Sequence, residues 1–137
     1  MNVLFVCVQN AGRSQMSAAL FERAAGGRHA ARSAGSRPAA RVHPEVVDAL
    51  REFGLDVSHN VPHALERTDA EWADVVVTMG CGDACPVVPG VRYVDWQIDD
   101  PQGRTPGEVR AVRDEIDGRV VALLRELDGE TLRAVAT

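Results

Sequence analysis

A chain of 137 residues, 45% hydrophobic and 26% charged, is sized for one domain with a single core and is too apolar to be disordered. Its net charge of −5 excludes the general electrostatic attraction to nucleic acid or anionic membrane that basic surfaces provide, so any bound anion must be held by local geometry. No segment approaches the roughly 20 apolar residues of a membrane span, and the start MNVLFVCV lacks a basic region ahead of a signal-length apolar run. The expectation is a cytoplasmic monomer forming one domain over residues 1–137, without nucleic-acid or membrane partners. Three cysteines, an odd number, point to reactive or metal-binding thiols rather than a disulfide framework.

In chain order, Val3 to Val6 are continuously apolar and partly β-branched, which predicts a strand buried on both faces and ending at Cys7. From Arg13 the pattern turns helical, with Met16, Leu20 and the aliphatic part of Arg23 on related faces and Gly26-Gly27 as the stop. A weaker strand, HAARSAG, covers 29–35. The next helix begins around His43, read as a helix-start residue, with Pro44 at the first helical position and Gly54 just past the end. Val46, Val47, Leu50 and Phe53 give it an apolar face.

Residues 58–72 read as loop and short helix, and ADVVVTM, 73–79, as a second buried strand. A loop rich in Gly, Cys and Pro spans Gly80 to Gly90, and VRYVDW forms a short final strand. Thr105-Pro106-Gly107-Glu108 is a capping-box pattern. Behind it Val109, Val112, Ile116, Val120, Leu123 and Leu127 keep helical spacing. On this last helix Arg110, Arg113, Arg119 and Arg125 read as a solvated face with Asp114, Glu115 and Glu126, while residues 129–137 carry little packing signal and are expected to fray. Trp72 and Trp96 read as packing residues. Strands alternating with helices predict an α/β domain with a parallel sheet covered on both faces. Ligands of such sheets bind beyond the carboxyl ends of the strands, where Cys7 and, past another strand, Cys81 fall.

The stretch CVQNAGRS joins the first strand to the first helix, where backbone N–H groups can converge on an anion. Val8, Gln9, Asn10, Ala11, Gly12 and Arg13 form the candidate oxyanion-binding loop. Gly12 permits close backbone approach or positive φ, and Asn10 tolerates the left-handed region while its amide braces the loop. Arg13 offers a planar fork for two oxygens of a tetrahedral oxyanion. The same donors suit a thiolate at Cys7, the nucleophilic form of the side chain, and Ser14 can donate to its sulfur. A core cysteine with a surface arginine nearby is the alternative, against which the strand–loop–helix context and Gly12 count.

The pattern C-x5-R-[ST] between a first strand and a first helix resembles the low-molecular-weight protein tyrosine phosphatase superfamily. The resemblance runs over nearly the whole chain and includes Asp99-Asp100-Pro101. It implies a three-layer sandwich on a four-stranded parallel sheet of order 2-1-3-4, with Asp100 as the general acid that protonates a leaving oxygen. By itself Asp-Pro reads equally well as a turn.

Cys81 and Cys85 extend the pattern. As a zinc site, C-x3-C supplies two ligands, and His29, His43, His59 and His63 offer no matching close-spaced pair, so no metal is expected. Two inert loop thiols are another reading. With all three cysteines the chain is similar to the thioredoxin-coupled arsenate reductases of the superfamily. That resemblance implies attack of Cys7 on arsenate, a Cys7–Cys81 disulfide, transfer to Cys81–Cys85, and re-reduction by thioredoxin as external thiol reductant with no bound cofactor. Gln15 stands where phosphatases commonly have proline, and Gln102-Gly103 where they carry paired tyrosines. Ala18 occupies the position at which some relatives use an acidic side chain to hold potassium, so that ion is not expected. Residues four apart on a helix hold their Cβ atoms about 5–6 Å apart, and a disulfide needs about 3.5–4.5 Å, so if Cys81 and Cys85 start on a helical turn the 80–90 segment is expected to rearrange on oxidation. A phosphatase with regulatory cysteines and a redox-sensing interaction module with a vestigial cradle are the alternatives; intact Arg13, Ser14 and Asp100 count against the latter.

Overall fold

The structure, a computed structural model, describes residues 1–80 and 86–136, with side chains to Glu130. Cys81 and Cys85, with the rest of 81–85 in the segment expected to rearrange, lie outside the described residues. The chain runs β1 (Asn2–Cys7), α1 (Arg13–Ala25), β2 (Ala30–Gly35), α2 (Pro44–Arg51), α3 (Arg67–Trp72), β3 (Val75–Thr78), β4 (Arg92–Asp95) and α4 (Pro106–Ala136). All the strand pairings are parallel, in the order β2-β1-β3-β4. This is the expected α/β sandwich.

The unbroken apolar run of β1 follows from burial on both sides. Val3, Phe5 and Cys7 face the larger core with Met16, Leu20 and Phe21 of α1, Val46 and Leu50 of α2, and Ile116 of α4. Leu4 and Val6 face a smaller cluster with Ala34 and Val76, closed by Leu65 and by Trp72 at the end of α3. Phe5 lies edge-on to Phe21, ring centroids 5.6 Å apart, and 5.9 Å from Trp96, which is buried as the packing reading expects. Helix α1 stops at Gly26, whose left-handed φ of 56° lets its N–H cap the Glu22 carbonyl. The Thr105/Glu108 capping box forms in both directions: Glu108 N–H donates to Thr105 Oγ1 at 3.3 Å, and Thr105 N–H to Glu108 Oε1 at 3.2 Å.

Two expectations change. Arg113 is not on a solvated face but 6% exposed. Its Nη1 donates to the Ala49 carbonyl at 2.9 Å and to Glu52 at 2.7 Å, and the guanidinium lies 4.0 Å over the Phe53 ring. Burial is tolerated because every part of the fork meets an acceptor or a π face. The expected fraying over 129–137 gives way to helix continuing through Ala136.

Candidate active site

β1 delivers Cys7, 2% exposed, to the carboxyl edge of the sheet, and α1 starts six residues later. Between them the loop takes its shape from a strap of chain running alongside. Ser36 N–H donates to the Cys7 carbonyl (3.2 Å), Arg37 to Val8 (2.7 Å), Ala39 to Gln9 (2.9 Å) and His43 to Ala11 (3.0 Å). Asn10 turns the corner at φ 51°, a conformation its short amide tolerates. Gly12 has an ordinary negative φ of −133°, so its role is close approach: a Cβ there would sit 3.1 Å from Pro101 Cγ.

With the carbonyls of Cys7, Val8, Gln9 and Ala11 bonded outward, the Asn10 carbonyl bonded to Gln15 Nε2 and that of Gly12 to Met16 N–H, the acceptors of the loop are satisfied. The donors are not. Among the described residues, no backbone N–H of residues 8–12 reaches a protein acceptor, although Asn10, Ala11 and Gly12 are buried. Buried N–H groups are almost always paired, so a run of orphans beside a thiol is a site shaped for an anion.

A hydrogen-bonded chain runs from the His63 backbone to the sulfur and fixes the orientation of the Asn10 amide. His63 N–H, which can only donate, bonds Asn10 Oδ1 at 2.8 Å. The amide of Asn10 therefore directs Nδ2 at Ser14 Oγ, 2.7 Å away. Ser14, accepting there, has its hydroxyl proton free for Cys7 Sγ at 2.9 Å. Gln15 braces the turn through Nε2 bonds to Asn10 O (3.0 Å) and Oδ1 (3.2 Å), and is itself held by Asn60 Nδ2 at 3.0 Å.

A small cavity above the thiol is lined by Cys7, Gln9, Gly12, Arg13, His43 and Asp100. Arg13 Nη1 donates to the Ile98 carbonyl at 3.3 Å, and its Nη2 lies 3.9 Å from Asp100 Oδ2. Gly80 leaves room for that guanidinium, since a Cβ there would lie 3.0 Å from Nη1. The half-exposed Asp100 carboxyl is oriented by Gln102 N–H on Oδ1 at 3.0 Å. Its loop is pinned by Arg104 Nε on the Asp100 carbonyl (2.8 Å) and by Gly103 N–H on Glu45 (3.3 Å).

The structure thus brings Cys7, Arg13, Ser14, Asp100 and the 8–13 loop together, while Cys81 and Cys85 lie outside the described residues. Sequence reasoning missed the orienting roles of Asn60 and the His63 backbone, which sit in an aperiodic stretch with no local signal. It also read His43 only as a helix start; His43 does cap α2, and its ring lines the cavity. A larger cavity, about 560 Å³ between α1, β2 and residues 55–60, includes Ala18 in its wall and shares Gln15 and Asn60 with the site network. No thiol lines it among the described residues, whereas Cys7 lines the smaller one.

A doubly covered parallel sheet that ends in a cysteine over a loop of free amides is the architecture of thiol enzymes acting on tetrahedral oxyanions. The chain belongs to the low molecular weight phosphotyrosine protein phosphatase family, whose profile matches residues 2–133. A Halobacterium salinarum protein, provisionally named an arsenate reductase, is 43% identical over 90% of this chain and 91% of its own. The Synechocystis glutaredoxin arsenate reductase is 34% identical over 91% of this chain and 97% of its own. The solved thioredoxin-dependent arsenate reductase of Corynebacterium glutamicum superposes with a TM-score of 0.83 at 41% identity. That match covers 94% of this chain, which spans only 62% of the solved chain. Among the described residues no helix is long and apolar enough to cross a membrane.

Proposed function

We propose that this enzyme reduces arsenate to arsenite, with Cys7 as nucleophile and Cys81 and Cys85 as the thiols that carry the electrons out. The observation that carries the reading is the run of backbone N–H groups following Cys7 that have no protein acceptor among the described residues, joined to the resolving pair in the sequence. Arsenate sits against these N–H groups with two oxygens on Arg13. The Cys7 thiolate attacks arsenic, Asp100 protonates the departing oxygen, and water leaves from a covalent sulfur–arsenic(V) adduct. Cys81 thiolate then attacks Cys7 Sγ. The S–As bonding pair passes to arsenic, which leaves as arsenite, and a Cys7–Cys81 disulfide forms. Cys85 attacks Cys81, which frees Cys7 and places a Cys81–Cys85 disulfide within reach of an external dithiol.

Thioredoxin is the donor this reading favours, because the chain supplies both resolving thiols and leaves nothing for a small thiol to do. The electrons arrive through cysteines, so no bound cofactor is required. Such a relay belongs in a reducing cytoplasm, and the enzyme acts as a monomer. Phosphatase activity is the second reading, favoured by Asp100 standing across the cavity from Cys7. Cys81→Ser separates the two: arsenate turnover with thioredoxin and its reductase should vanish, while slow hydrolysis of an aryl phosphate persists. Full arsenate reduction by that variant overturns the relay.

A further inference from the structure

We infer that His43 is a substrate-contacting residue, donating an imidazole N–H to the oxyanion held over Cys7. The inference rests on the oxyanion reading of the cradle above. The backbone of His43 is fixed at both ends: its N–H donates to the Ala11 carbonyl at 3.0 Å, and its own carbonyl receives Val46 and Val47 N–H at 3.0 and 3.1 Å. The ring therefore projects from a rigid junction between the strap and α2. Its Cδ2 lies 3.5 Å from where a Gly12 Cβ would be, opposite Pro101, so His43 and the Asp100 loop flank Gly12. The ring lines the same cavity as Cys7, Arg13 and Asp100.

Two of the other polar side chains at this mouth have protein partners. Arg13 is shared between Ile98 and Asp100, and Asp100 between Gln102 and Arg13. The half-buried imidazole of His43 has no hydrogen-bond partner among the described residues. A polar ring carried on a fixed backbone at the wall of an anion cavity, with its nitrogens unengaged among the described residues, has a donor to give to what occupies the cavity. Neutral imidazole carries one N–H and the protonated form two, so the contact is available in either state. The demand is real: among the described residues Arg13 is the only arginine lining the cavity, Asp100 already draws on it, and the oxyanion must sit beside a thiolate.

The test is phosphate binding by calorimetry, with inorganic phosphate as an unreduced mimic, alongside steady-state arsenate reduction. His43→Ala and His43→Phe should each weaken phosphate binding about tenfold or more, the effect of losing one hydrogen bond to a charged group, and raise the arsenate KM in parallel. His43→Gln or His43→Asn, which return an N–H near one or other ring nitrogen, should recover most of the loss. The variant that recovers identifies the donating nitrogen. Thermal unfolding should be shared by all four, because the capping of α2 uses only backbone. Phosphate affinity within twofold of the parent in His43→Ala, or equal loss in the Phe, Gln and Asn variants, overturns the contact while leaving the cradle reading intact. Failure of the parent enzyme to bind phosphate or arsenate overturns both.

Discussion

Asn10→Asp is nearly isosteric and changes two things in the cradle: the direction of a proton and, by one added negative charge, the field at the sulfur. In the native chain His63 N–H occupies Oδ1, Nδ2 donates to Ser14 Oγ at 2.7 Å, and Ser14 Oγ, its own proton left free to donate, lies 2.9 Å from Cys7 Sγ. A carboxylate keeps the His63 bond but has no proton to give Ser14. The serine hydroxyl then turns its own proton to the carboxylate, a charged acceptor, and the sulfur loses its donor. A hydrogen bond to a charged group is worth about 1.5–3 kcal/mol, which converts to a loss of about 10- to 100-fold in thiolate-dependent rate. Aspartate also tolerates the left-handed turn at φ 51°, so backbone strain contributes little.

The assay is the pseudo-first-order rate of Cys7 alkylation by iodoacetamide near neutral pH, in a Cys81→Ser/Cys85→Ser background where only Cys7 can react. Single-turnover aryl phosphate cleavage in the same background follows the same thiolate. Ser14→Ala deletes the terminal donor without adding charge and should give the lower end of the range. Thermal melting establishes that each variant is folded. Alkylation of folded Asn10→Asp within threefold of its parent would refute the proton ordering deduced for the Asn10–Ser14–Cys7 chain.

Gly80→Ala should lower stability by about 1 kcal/mol and weaken phosphate inhibition, because φ 85° disfavours a side chain and the new methyl presses on Arg13 Nη1; melting and inhibition assays read the two effects separately. Glu52 is held down to about 2 by hydrogen bonds from Arg110 first and then Arg113. Its folded value lies below the unfolded one of 4.5, so the stabilisation is present above pH 4.5 and disappears as pH falls toward 2. Glu52→Gln should therefore melt below the parent at pH 7, with the gap closing through that acid window. A gap independent of pH would detach the effect from the Glu52 charge.

Much of the fold was legible because β1 and β3 are buried on both faces, and continuous apolar runs such as Val3–Val6 have few other uses in a chain this size. The cradle was legible because its parts are contiguous, from Cys7 to Ser14. What stayed hidden was long-range. Arg113 looks like any exposed helical arginine until Glu52, 61 residues earlier, and the Ala49 carbonyl are brought beneath it. Asn60 and His63 act on Asn10 and Gln15 across loops, and no spacing rule links them. Gly12 could be read as serving either close approach or positive φ; its φ of −133° and the Pro101 contact decide for the former.

The make-up of the cradle bears on how one fold serves two chemistries. A chain of net charge −5 cannot draw anions by its overall field, and beyond a Debye length of about 8 Å at physiological salt that field is screened in any case. Binding therefore falls to short-range donors: the free N–H groups of residues 8–12 and the Arg13 fork, partly claimed by Asp100. Donors of this kind read tetrahedral shape and charge, which phosphate and arsenate share. Discrimination has to come after binding. Phosphorus attached to Cys7 sulfur leaves only by attack at phosphorus, whereas arsenic(V) accepts the electron pair when a second thiolate attacks the sulfur. On the proposed relay, Arg13, Ser14 and Asp100 would stand equally well in a phosphatase. The residues that direct the chain toward reduction are Cys81 and Cys85, which need touch no part of the bound oxyanion.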